Sequence, residues 1–170
     1  ILPLEGDEAS GWKPGKPSVF LNTPAAEQEP MFSPDGRWIA YQSNESGRAE
    51  VFVRPFPGPG GKWQISTGGG TWAAWSRTRH EILYEGPGNR IMAASYTVDG
   101  GSFKADKPRF WSEQAILPRP GIRSFGLHPD GDRIAAALAA GSPAEEKIDK
   151  VTFVVNFFEE LRRIAPPSSK

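Results

Sequence analysis

Apolar residues in this chain come in short bursts, each closed by Gly, Pro, Asn, Asp or Ser, and helical periodicity is nearly absent. The clearest pair of bursts is Met31-Phe32 and Trp38-Ile39-Ala40-Tyr41, on either side of Ser33-Pro34-Asp35-Gly36-Arg37. Pro34 pre-sets φ at ~−65°, Asp35 can bond back to its own backbone, and Gly36 accepts the positive φ that closes a tight reversal. Strand, sharp turn, strand is therefore predicted here. The same cassette returns as Trp75-Ser76-Arg77-Thr78-Arg79-His80-Glu81-Ile82-Leu83-Tyr84, and again as Leu127-His128-Pro129-Asp130-Gly131-Asp132-Arg133-Ile134-Ala135-Ala136. Further strands are predicted near Leu4 and over 18–22, 51–53, 62–66, 71–76, 81–85, 90–96, 108–111, 124–128, 133–138 and 151–158. A short helix is expected at 159–164 and a frayed, disordered tail at 166–170.

The cassettes make a repeat that can be counted. Ser33 to Ser76 is 43 residues and Ser76 to His128 is 52. The first spacing fits the roughly 40–45 residues of a four-stranded propeller blade, and the second allows longer loops. Ile39, Ile82 and Ile134 coincide in this register, as do Tyr41, Tyr84 and Ala136. Strands apolar on both faces suit sheets stacked between neighbours. The expected fold class is all-β, a partial β-propeller of about three four-stranded antiparallel blades. Its parts are a half blade over 1–24 (strands around Leu4 and Phe20) and blades over 25–67, 68–113 and 121–158. A six-bladed ring needs roughly 250 residues at this period. The open ends therefore predict self-association, with residues 19–21 of one copy completing the 151–158 blade of another so that a homodimer closes one ring. The alternative is that the natural protein is longer and such pairing is incidental.

Composition narrows the function classes. Twenty Lys and Arg balance twenty Asp and Glu, so no large electrostatic footprint for nucleic acid or an anionic membrane is expected. The absence of Cys excludes disulfide and thiolate chemistry. No apolar run approaches the roughly 20 residues of a membrane segment. Nineteen Gly, seventeen Pro, six Trp and ten Phe describe short strands and tight turns rather than disorder.

Candidate chemistry is sparse. His80 and His128 are placed at equivalent hairpin positions and lack zinc-ligand spacing, so they read as turn residues. Gly68-Gly69-Gly70-Thr71 lacks the Lys-Ser/Thr of a phosphate loop and reads as a linker. Asp35 and Asp130 read as turn caps, one per blade and too far apart for shared acid–base work. Asp99-Gly100-Gly101-Ser102 offers one carboxylate, poor for calcium. Asn44-Glu45-Ser46 is a formal glycosylation sequon, read as without functional meaning. The Trp residues read as inter-blade core. No metal or other cofactor is expected. A ligand site is placed by architecture at the channel mouth, where outer-strand links meet the next inner strands: Glu27, Glu29, Thr71, Trp72 and Arg123, rimmed by Asn44.

Ser33-Pro34-Asp35-Gly36-Arg37-Trp38-Ile39-Ala40-Tyr41 resembles the TolB-type, WD-like propeller repeat. The segments Leu2-Pro3-Leu4-Glu5-Gly6-Asp7, Phe20-Leu21-Asn22-Thr23-Pro24, Phe52-Val53-Arg54-Pro55-Phe56-Pro57-Gly58-Pro59-Gly60-Gly61-Lys62-Trp63 and Val151-Thr152-Phe153-Val154-Val155-Asn156 resemble the propeller that follows the kinase domain of bacterial eukaryote-like serine/threonine kinases. That resemblance implies a non-catalytic sensor or interaction module, extracytoplasmic or periplasmic, binding a protein or small molecule. The repeat alone also suits an accessory propeller of a hydrolase or peptidase, or a TolB-like periplasmic scaffold. Two departures stand out. Arg77-Thr78-Arg79 replaces Pro-Asp-Gly in the second cassette, which predicts a less tightly defined turn. The kinase motifs (Gly-rich loop, His-Arg-Asp, Asp-Phe-Gly) are missing, so no catalytic residue is carried over.

Overall fold

A computed structural model describes residues 1–138; the strand expected over 151–158, the helix over 159–164 and the tail lie outside the described residues. The chain opens with a small hairpin, β1 (Leu4–Glu5) against β2 (Lys13–Pro14). A four-stranded antiparallel meander follows, sheet 1: β3 (Glu27–Phe32), β4 (Trp38–Ser43), β5 (Glu50–Pro55) and β6 (Trp63–Gln64). Sheet 2 repeats the plan with β7 (Thr71–Trp75), β8 (Glu81–Gly86) and β9 (Arg90–Asp99). Its fourth position is shared by β10 (Ser102–Ala105) and β11 (Arg109–Ala115), which lie along one edge of β9 because β8 occupies the other. Ala105 pairs with Tyr96 and Arg109 with Ala93, four residues against three, so one extra residue forms a bulge that breaks a single long strand in two. A last hairpin joins β12 (Phe125–Leu127) to β13 (Ile134–Ala136). Among the described residues the architecture is all-β, in several antiparallel sheets, none closed on itself.

Two expectations need correction. Residues 18–22 form no strand; the partner of β1 is Lys13–Pro14. Pro17 and Pro24 flank this segment and cannot donate; Ser18 exchanges backbone hydrogen bonds of 2.7 and 2.9 Å with Ile1, and Phe20 packs against Phe56. Sheet 2 also contains a strand that was not anticipated, β10. Gly100 (φ 53°) and Gly101 (φ 89°) close a two-residue hairpin between Asp99 and Ser102, the backbone handedness that a primed turn demands. Asp99 therefore ends a strand.

The three cassette turns close alike. Ser33 N donates to Trp38 O (2.8 Å), Ser76 N to Glu81 O (3.0 Å) and His128 N to Arg133 O (2.8 Å). The second turn keeps this closure without Pro-Asp-Gly, because Ser76 Oγ accepts from Thr78 N and Arg79 N, and Thr78 Oγ1 donates to Asp130 O at 2.7 Å.

Strand alternation explains the packing. Ala73, Trp75, Ile82 and Tyr84 turn to one face of sheet 2 and join Trp38, Ala40, Val51 and Val53 of sheet 1 in one core. Ala74 and Leu83 turn to the other face and meet Phe125, Leu127 and Ile134 of the last hairpin. Sheet 2 is thus dry on both sides, sandwiched between neighbours. Phe103 of β10, fully buried, lies within 4.8–6.2 Å (ring centroids) of Trp38, Trp63, Trp75 and Tyr96 and binds the outer parts of the two sheets.

Candidate functional site

The first strands of the three units, β3, β7 and β12, bring their C-terminal ends together. Met31 and Phe32, Ala74 and Trp75, and Leu127 line a cleft of about 420 Å³ with Arg77 and Arg123. Trp75 Nε1 donates to Met31 O at 3.0 Å, fixing β7 against β3 at the cleft floor. Phe32 is 47% exposed although it packs edge-on against Phe56.

Arg123 is the most unusual side chain here. It is half-buried, donates from Nη2 to Ala73 O (2.8 Å), touches Met31 Sδ (3.8 Å) and lies over the Phe125 ring (5.9 Å). Its Nε is buried without a hydrogen-bond partner, and no carboxylate lies within ion-pair distance among the described residues. Burial pulls its pKa below the usual arginine range, against the more distant charges of Glu29 and Glu85.

A second arrangement joins successive units. β3 and β7 each carry a bulge in their first half, and the bulges place Glu29 (φ 53°) and Trp72 (φ 57°) at positive φ, 43 residues apart. Gln42 Oε1 of β4 accepts from Trp72 N at 3.3 Å, and Glu85 Oε1 of β8 accepts from Ser124 N at 2.6 Å. Gln42 and Glu85 are again 43 residues apart, so one side-chain latch is used twice. Burial raises the Glu85 pKa, and the Ser124 hydrogen bond and the Arg123 charge oppose it only in part.

Glu50 secures the link between sheets 1 and 2. It is 1% exposed, and its Oε1 accepts from Gly68 N (3.1 Å), Gly69 N (2.9 Å) and Arg48 Nε (2.9 Å). Its Oε2 accepts from Ser66 Oγ (2.5 Å), which in turn accepts from Val51 N (2.7 Å). Gly68 and Gly69 are thus a backbone clamp on a buried carboxylate.

Of the six residues expected at a channel mouth, only Arg123 lines the cleft. Glu27 is hydrogen-bonded by Thr23 Oγ1, and Asn44 Oδ1 accepts from Ala26 N (2.9 Å); both belong to the opposite, N-terminal end of β3. Thr71 pairs with Glu85 across β7 and β8, and Trp72 and Glu29 sit in the bulges. His80 and His128 are not equivalent: His128 holds the closing position of its turn, whereas His80 precedes Glu81 and lies against Tyr96 in a tilted pair, ring centroids 5.3 Å apart. Sequence reasoning missed Met31, Phe32, Arg77 and Leu127. The available signal was the column Phe32, Trp75, Leu127, one residue ahead of each turn. No family model matches this chain, and neither a curated protein nor a solved structure does.

Proposed function

We propose that this chain is a run of β-propeller blades acting as a non-catalytic binding module, the sensor or interaction part of a bacterial receptor-like serine/threonine kinase. The observation that carries the reading is the convergence of three successive inner strands on one cleft, where repeat architectures place ligands. The kinase assignment rests on the segments quoted above, above all 52–63. Binding is tested by titrating isotope-labelled protein with neutral, acidic and basic small molecules. Hits are expected to shift the amide signals of Met31, Trp75 and Leu127; hits scattered over the surface would overturn the reading. The kinase assignment expects a kinase domain and a membrane helix encoded upstream, and a downstream Ser-Asp-His hydrolase domain would sink it.

A further inference from the structure

We infer that the cleft takes an apolar carboxylate, held by Arg77 and Arg123 with its apolar part against Phe32, Met31 and Leu127. The inference rests on the cleft being a binding site. Among the described residues, its walls carry two guanidinium groups and no carboxylate. Arg77 is exposed and has no ion-pair partner among the described residues. Arg123 meets a carbonyl, a thioether and a ring, and Glu29 and Glu85 act on it only from a distance. A half-buried cation without a counter-ion is costly, and a bound anion offsets that cost. Guanidinium is also the side chain that grips a planar carboxylate through two donors. Phe32, nearly half exposed beside Met31 and Leu127, supplies apolar surface that an inorganic anion would leave wet. A volume of about 420 Å³ suits a group the size of one or two amino-acid residues.

A free aryl-alkyl acid and the end of a peptide share this chemistry. The probes are N-acetyl-phenylalanine, a hexapeptide ending in Phe with a free carboxylate, and the same hexapeptide amidated, each titrated by calorimetry and by amide shifts. The acids are expected to bind and amidation to weaken binding about tenfold or more, the cost of a charge-assisted pair. Arg77→Gln, at an exposed position, is expected to produce a similar loss with an unchanged melting temperature. Arg123→Lys, which keeps the charge but not the fork, tests the buried member. Equal binding of N-acetyl-phenylalanine and the peptide acid assigns a free acid, and preference for the peptide assigns a chain end; either supports the inference. Equal binding of acid and amide, or full affinity in Arg77→Gln, overturns it. Neutral compounds shifting the cleft signals while acids fail also overturns it, yet leaves the binding-module reading standing. Compounds of every charge missing the cleft overturn that reading as well.

Discussion

Single residues decide how the sheets are joined. Removing the Glu50 side chain leaves the amides of Gly68 and Gly69 and the Ser66 hydroxyl without their acceptor. Glu50→Ala is therefore expected to cost about 3 kcal/mol, read from urea midpoints, and Glu50→Gln about half as much because one acceptor oxygen survives. A wild-type midpoint in Glu50→Ala would show the clamp to be idle. Glu85 makes a prediction about pH. Its folded pKa lies above the ordinary 4.5, so the folded chain holds a proton that the unfolded chain has released. Stability from this group is full below 4.5 and is lost as pH rises through the raised value. Gln42 makes the same latch without charge, so Glu85→Gln is expected to fold normally and to lose that downward slope; an unchanged slope would refute the assignment. Asp35 behaves oppositely. Burial pushes its carboxyl up, but bonds from Ser33 Oγ and Arg37 N carry it below 3.8, so its contribution is lost as pH falls through the lowered value.

At the scale of elements, β10 matters more than its length suggests. Phe103→Ala should cost about 3–5 kcal/mol by opening a cavity among four aromatic rings, measurable by thermal or chemical unfolding. A loss below about 1 kcal/mol would mean that the outer strands are not locked together there. Gly101→Ala, at φ 89°, should cost about 1 kcal/mol through the turn alone. The strands flanking each cassette were legible because turn chemistry and apolar alternation agree there. β10 was not, since Ser102-Phe103-Lys104-Ala105 carries one large apolar residue and its pairing partner lies just across a two-residue turn. The strand expected over 18–22 failed for the reverse reason. Its residues have the propensity, but the prolines beside them remove donors and no ladder is on offer.

For the whole molecule, composition and repeat spacing made the all-β run of antiparallel sheets readable, whereas the cleft was not. Its lining comes from residues next to the turns, each unremarkable until three units place them side by side. The outer face of sheet 1 carries the remaining expectation. Ile82 and Tyr84 of sheet 2 are covered by sheet 1; among the described residues, their counterparts Ile39 and Tyr41 line a cavity of about 330 Å³ together with Ile1 and the 18–21 segment, and Val19 is 81% exposed. Light scattering is expected to give a dimer at micromolar concentration, and Val19→Glu to give a monomer with an unchanged melting temperature. A wild-type monomer under those conditions would rule self-association out.

The twice-used contact from Gln42 and Glu85 has a polarity. Each time the earlier sheet provides the oxygen and the later one the amide hydrogen. Extension by further copies is therefore one-way, head to tail, and two like ends cannot satisfy each other.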